Sequence, residues 1–392
     1  MPSLIFRIMS GIGVASAIYS ASILAVLRIP WLEHHAVYMH RLRLIGQRSL
    51  DHPEQFGFAH RQVTPFFIRT KDGTKLHAWH VLPIGLYYKH ATELLSQAQS
   101  PTTEDEFENK LNFKLLREDP EARLVIHTHG SSGALAAYTR PETYRSLSTL
   151  APSKIHVLAF DYRGFGLSSG SPSEDGLCID AHAVFDWATQ VAGIPASRIV
   201  LFGQSMGAGV AIALTRDLVL QKVTVAGLIM TGAFPNVRTM LAEYRSFFGL
   251  RPYGLLARFP GLMDICTRDM RNKWKNRDAL ADMVKYGTNY HVEIFHAQDD
   301  PIVPWGLSNG FFECAVRAAS HGNMSMEDFE KENARRRIDL DEGGWVVEWP
   351  TRNGYIRQEV PRYGIHEKIM AHPQIAMAVM RAFQYRDPMF EG

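Results

Sequence analysis

Residues 8–27 (IMSGIGVASAIYSASILAVL) form an unbroken apolar and small-residue run with no formal charge. As a helix this run spans about 30 Å, the hydrocarbon thickness of a bilayer. Arg7 and Arg28 bracket it, as cationic side chains do when they reach for headgroups. A cleaved signal peptide would end near small residues such as Ala15 and Ala17, yet the apolar run continues to Leu27. The pattern therefore predicts an N-terminal transmembrane anchor within residues 1–30. Arg28, Arg41, Arg43 and Arg48 on its far side lean toward a cytosolic C-terminal domain by the positive-inside rule.

Residues 31–62 mix His, Arg and aromatic positions and are expected as a juxtamembrane connector, either lying on the membrane surface or packed on the domain that follows. From residue 63 the pattern becomes globular. VTPFFIR (63–69) and KLHAWHV (75–81) read as strands around a Lys71-Asp72-Gly73 turn. Short aliphatic or β-branched runs follow at 123–128, 155–160, 198–202, 223–230 and 291–295. Helical stretches near 141–150, 176–192 and 206–219 lie between them. Such alternation implies a mostly parallel central sheet with helices on both faces, an α/β domain covering 63–392. Residues 84–120 read as a polar insertion. The stretch from about 233 to 285, with Phe234, Tyr244, Phe247, Phe248, Tyr253 and Phe259, is expected as a helical lid or as ordinary helix packing. A second insertion is expected from about 318 to 360, with a hairpin turning at Arg352-Asn353-Gly354.

The net charge of +2 gives no electrostatic case for nucleic-acid binding. Cys178, Cys266 and Cys314 are far apart and form no CxxC pair, so they point to neither a zinc site nor a redox motif.

Gly203-Gln204-Ser205-Met206-Gly207 is a G-x-S-x-G sequence between a strand-like run and a helical one. A serine on such a strand-to-helix turn projects its hydroxyl above the sheet, and Gly203 and Gly207 leave room for the turn. The helix starting beside it aims its N-terminal dipoles at a developing negative charge. A nucleophilic serine needs a base and an orienting acid, in the order Ser, acid, His for this architecture. Asp299 and Asp300 compete for the acid in the loop after the 291–295 strand. His366 sits in a loop before a final amphipathic helix, with His372 as its rival. The glycine-rich loop His127-Thr128-His129-Gly130-Ser131-Ser132-Gly133 is placed to offer backbone donors to an oxyanion. A metal held by His127 and His129 is the weaker alternative, because no third ligand stands nearby. Gly164 and Gly166 in DYRGFGLS lack the third glycine of a phosphate-binding fingerprint, so this segment reads as a structural turn and not a nucleotide site. No cofactor is called for.

The motifs HTHGSSG, FDYRGFGLS, GQSMG, HAQDDPIVP and GIHEKI, in this order across about residues 63–385, resemble the membrane-bound α/β-hydrolase-domain group of lysophosphatidylserine and monoacylglycerol lipases. The resemblance implies the α/β-hydrolase fold, a catalytic set of Ser205, Asp300 and His366, and an oxyanion hole formed by the amides of Ser131 and Met206. It implies a lipid ester substrate, a single membrane span and residence in the endoplasmic reticulum, there with a lumenal domain, against the charge-based lean. A catalytically idle membrane scaffold, or a thioesterase or peptidase on the same triad, remains the alternative. Asn323-Met324-Ser325 is a glycosylation sequon whose occupancy would report a lumenal domain.

Overall fold

In the computed structural model the described residues are 28–42, 44–97, 107–245, 251, 253–321 and 323–391, with six scattered positions between 14 and 25. The expected membrane anchor, and with it most of residues 8–27, lies outside them, as do Phe247 and Phe248. Among the described residues no helix is long and apolar enough to cross a membrane.

Among the described residues ten strands form one sheet: β1 (Val63–Arg69), β2 (Lys75–Val81), β3 (Arg123–Thr128), β4 (Ile155–Phe160), β5 (Ile199–Gln204), β6 (Gly227–Thr231), β7 (Tyr290–Phe295), β8 (Arg337–Asp339), β9 (Trp345–Pro350) and β10 (Gly354–Val360). Their spatial order is β1-β2-β4-β3-β5-β6-β7-β10-β9-β8. The pairs from β4 through β10 are parallel, while β1–β2, β2–β4, β10–β9 and β9–β8 are antiparallel. The sheet is thus mixed and mostly parallel, with antiparallel pairs at both ends.

The central strands read as continuous apolar runs because helices cover both of their faces. Successive residues supply opposite cores: Leu124, Ile126, Leu201 and Met230 pack on one side, Val125, Val200, Phe202 and Ile229 on the other. Each fully buried aliphatic side chain contributes about 1.5–3 kcal/mol. The edge strand β1 alternates instead, with Phe66 and Ile68 buried and Arg69 exposed, and it tolerates Pro65 because its outer edge pairs with no strand.

One expectation needs correction, and two open alternatives resolve in favour of packing on the domain. The hairpin within 318–360 is no appendage, because β10 pairs in register with β7 and forms part of the central sheet. The added material is the helix Met326–Arg336 and the strands β8 and β9 beyond it. Part of 233–285 is ordinary helix packing. Helix Asn276–Tyr286 buries Ala279, Leu280, Met283 and Val284 in the main core. The connector packs on the domain: Leu50, Phe56 and Phe58 join Trp79 in the core, and the Trp79 indole donates to the Leu50 carbonyl at 2.9 Å. Its helix, Pro30–Tyr38, buries Glu33 and Tyr38.

The DYRGFGLS segment is a structural turn. Arg163 in it donates to Asp180 at 2.9 Å and to Asp72 at 2.8 Å, tying the β1–β2 turn to helix Glu174–Asp186.

Candidate active site

β5 ends at Gln204 and helix Met206–Leu220 begins two residues later, leaving Ser205 alone to make the turn. Its φ is +55° and its ψ −119°, a conformation a serine holds only where its surroundings enforce it. The Ser205 N–H donates to the Thr231 carbonyl at 2.9 Å, pinning the turn to the end of β6. Thr128 Oγ1 donates to the Gly207 carbonyl at 2.9 Å. The helix also passes so close to the 128–130 loop that a Cβ on Gly207 would run into the Thr128 carbonyl, and one on Gly203 would meet Ala208 Cα at 2.6 Å. These approaches are why the G-x-S-x-G spacing is required.

Asp300 lies in the loop after β7. Its Oδ1 accepts the amides of Ile302 at 2.8 Å and Val303 at 2.9 Å. Its Oδ2 accepts His366 Nδ1 at 2.6 Å and His296 Nε2 at 3.0 Å. Asp299 instead accepts the Ile365 amide at 2.8 Å, so of the two competing carboxylates it is Asp300 that meets the imidazole. His372 precedes Pro373 at the start of helix Pro373–Arg386, leaving His366 as the histidine of this pair. The Asp300 side chain is 1% exposed. Burial alone would raise its pKa, but the His366 charge and the hydrogen bonds from both histidines hold it well below the usual carboxylate range. Burial presses the His366 pKa down, and the neighbouring Asp300 carboxylate outweighs that and leaves it raised above 6.5. An acceptor this close to Nδ1 fixes the proton of the neutral imidazole there and leaves Nε2 as its unprotonated nitrogen.

The imidazole and the serine flank the same strand end. Thr231 takes the Ser205 amide, and the next residue, Gly232, lies against the imidazole, where a Cβ would stand 2.8 Å from Cε1. Gln204 Nε2 donates to the His366 carbonyl at 3.5 Å. The Ser205 hydroxyl has no hydrogen-bond partner among the described residues. In unliganded hydrolases this contact commonly tightens only around substrate.

The loop after β3 completes the site. A Cβ on Gly130 would stand 3.2 Å from Ser205 Cβ, so the loop abuts Ser205. The Ser132 amide is committed to the Tyr38 carbonyl at 2.9 Å, and that of Ser205 to Thr231. The amides of Ser131 and Met206 have no acceptor among the described residues; Met206, as first residue of its helix, has none within the helix either. Arg140, fully buried, donates to the carbonyls of Gly130 at 3.3 Å, Ser132 at 3.0 Å and Ala134 at 2.6 Å. His127 and His129 do not converge. Tyr144 meets His127 Nδ1 at 3.2 Å, whereas the His129 ring packs on Tyr162 with its Nε2 3.4 Å from Asp161. Among the described residues no cluster of three or more side chains fit to hold a metal occurs.

Sequence reasoning missed Arg140, His296 and Tyr38. The Arg140-Pro141 pair carried a signal, since proline marks a helix start and a cation there opposes the helix dipole. His296 and Tyr38 carried none.

Fold and site together define a hydrolase-type α/β domain with a serine held at positive φ on a strand-to-helix turn. A family model described as alpha/beta hydrolase family matches residues 124–335, more than half of the chain, and the chain belongs to this family. It is similar to the lysophosphatidylserine lipase ABHD12 of Xenopus tropicalis, 29% identical over 292 residues covering 74% of this chain and 67% of that protein. It is also similar to that of Gallus gallus, 29% identical over 313 residues covering 79% and 73%. Among solved structures, an alpha-beta hydrolase from Vibrio vulnificus superposes with a TM-score of 0.54 at 16% identity, covering 92% of this chain and 91% of that one, a likeness of fold alone.

Proposed function

We propose that this chain is a membrane-anchored serine hydrolase that cleaves carboxylic esters of lipids, monoacylglycerols or lysophospholipids, through an acyl-enzyme. The observation that carries the reading is the 2.6 Å contact of His366 Nδ1 with Asp300 beside a serine held at φ +55°. In this mechanism Nε2 of His366 takes the Ser205 proton as the hydroxyl attacks the ester carbonyl. Asp300 stabilises the imidazolium, and the amides of Ser131 and Met206 receive the oxyanion. The alcohol leaves with the proton from His366. Water, deprotonated by the same base, then releases the fatty acid. The names of the similar lipases support the lipid substrate class. The uncharged run 8–27 supports the anchor, and the family resemblance supports the endoplasmic reticulum.

A fluorophosphonate probe tests the chemistry. Labelling of the wild type that disappears in Ser205→Ala is expected, whereas a folded wild type that takes no label contradicts the proposal. Lysophospholipids or monoacylglycerols should accumulate in cells carrying Ser205→Ala. Deleting residues 1–27 should move the protein from the carbonate-resistant membrane pellet to the supernatant.

A further inference from the structure

Arg140 is placed at two physical disadvantages. It is the first residue of helix Arg140–Ser148, where a cation opposes the helix dipole, and it is fully buried with no ion-pair partner among the described residues. A guanidinium is a permanent cation, so its desolvation must be offset by hydrogen bonds. Its acceptors are three carbonyls of one loop, those of Gly130, Ser132 and Ala134. No peptide in the described chain is cis. In a trans peptide the carbonyl of one residue and the amide of the next point in opposite directions. A Gly130 carbonyl drawn to Arg140 therefore turns the Ser131 amide away from the guanidinium, and Gly130 abuts the nucleophile. From the other side, the Tyr38 carbonyl takes the Ser132 amide, which removes that donor from competition.

We propose that Arg140 is a positioning residue of the oxyanion site: it holds the 130–134 carbonyls so that the Ser131 amide is presented to the reacting carbonyl, and its charge biases the buried site toward the anionic transition state. This rests on the serine-hydrolase reading above. The same cation opposes protonation of His366, against the pull of Asp300, and so helps keep the general base neutral.

The test compares full-length wild type, Arg140→Met and Arg140→Lys in detergent on a soluble short-chain nitrophenyl ester. Active sites are counted by fluorophosphonate titration, so that rates refer to folded sites only. Arg140→Met should lower kcat per titrated site about 10- to 100-fold, up to but not beyond the roughly 100- to 1,000-fold cost of losing an oxyanion donor itself, with KM within about two-fold. Its acidic limb of kcat/KM should move to higher pH. Arg140→Lys should leave that limb where the wild type has it and recover part of kcat. A merely structural arginine would change the number of titrated sites and neither the limb nor kcat per site. Wild-type kcat per site in folded Arg140→Met overturns the inference alone; if that variant does not fold, wild-type kcat per site with an unmoved acidic limb in the equally uncharged Arg140→Gln does so. Absence of Ser205-dependent turnover in the wild type overturns the hydrolase reading, and this inference with it.

Discussion

Glu33 and Asn272, 239 residues apart, form a buried clamp: one Glu33 carboxylate oxygen accepts both the Asn272 backbone amide at 3.1 Å and its side-chain amide at 2.9 Å. The Asn272 side-chain oxygen in turn accepts the Tyr38 hydroxyl at 2.5 Å. The helix that follows the apolar run is thereby fastened to the end of the 233–275 segment, and through the Tyr38 carbonyl to the loop beside Ser205. Glu33→Ala strands several buried donors. It should cost about 2 kcal/mol of stability in thermal unfolding and lower kcat through the loosened loop. Unchanged melting and turnover would show the clamp to be dispensable.

The proposed mechanism predicts a pH profile. It needs a neutral His366, whose pKa burial presses down and the neighbouring Asp300 carboxylate nevertheless leaves raised. Turnover should therefore fall with decreasing pH along a limb centred above 6.5. Any stability His366 gains from its partner is present below 6.5 and is lost as pH rises through the folded value. Asp300→Asn removes the raising influence and leaves burial to push the pKa down. The limb should move to lower pH while kcat falls about 10³–10⁴-fold. A limb that stays in place would argue that another group sets it.

Gly207 tests the elbow's geometry. A methyl group there meets the Thr128 carbonyl and stands 2.6 Å from that of His129, both backbone atoms that cannot swing aside. Gly207→Ala should destabilise the domain by about 1–3 kcal/mol and abolish labelling of Ser205 by displacing it. Wild-type labelling in this variant would mean that the turn relaxes more readily than the packing implies.

Away from the site, the fully buried Glu293 on β7 is held by His291 at 2.8 Å, Arg381 at 2.6 Å and Arg357 at 3.2 Å. Burial would raise its pKa, but the hydrogen bonds from His291 and Arg381 bring it down to about 2. A depressed carboxylate contributes stability that is complete above its unfolded value of 4.5 and is lost as pH falls toward 2. Arg381→Met should cost about 2–3 kcal/mol at neutral pH, below the full penalty for a broken buried pair because Arg357 remains. It should also shift acid unfolding to higher pH, which a circular-dichroism titration would follow.

Much of this protein is legible in local pattern. The strands β1 to β4, the helix after Ser205 and the elbow itself rest on residues close together in the chain, where periodicity and turn chemistry act directly. The hairpin at Arg352-Asn353-Gly354 was legible for the same reason, but its membership of the central sheet was not. That pairing joins Tyr355 to His291 across the sheet, and no local period records it. Likewise Asp299 and Asp300 are equivalent by local pattern; the family resemblance implies Asp300, and the approach of a loop 66 residues away brings that carboxylate to the imidazole.

By itself, the sequence determined the class of fold, the G-x-S-x-G turn that carries Ser205, and the candidates Asp300 and His366 that follow it in the chain. Tertiary structure alone decided that a buried arginine grips the loop beside Ser205 and that helix Pro30–Tyr38 is clamped to the domain; it also set Asp300, the carboxylate the family resemblance implies, against His366. The physical reason is that hydrogen bonding and charge pairing act through space over a few ångströms, while the partners here stand from a few to more than two hundred residues apart.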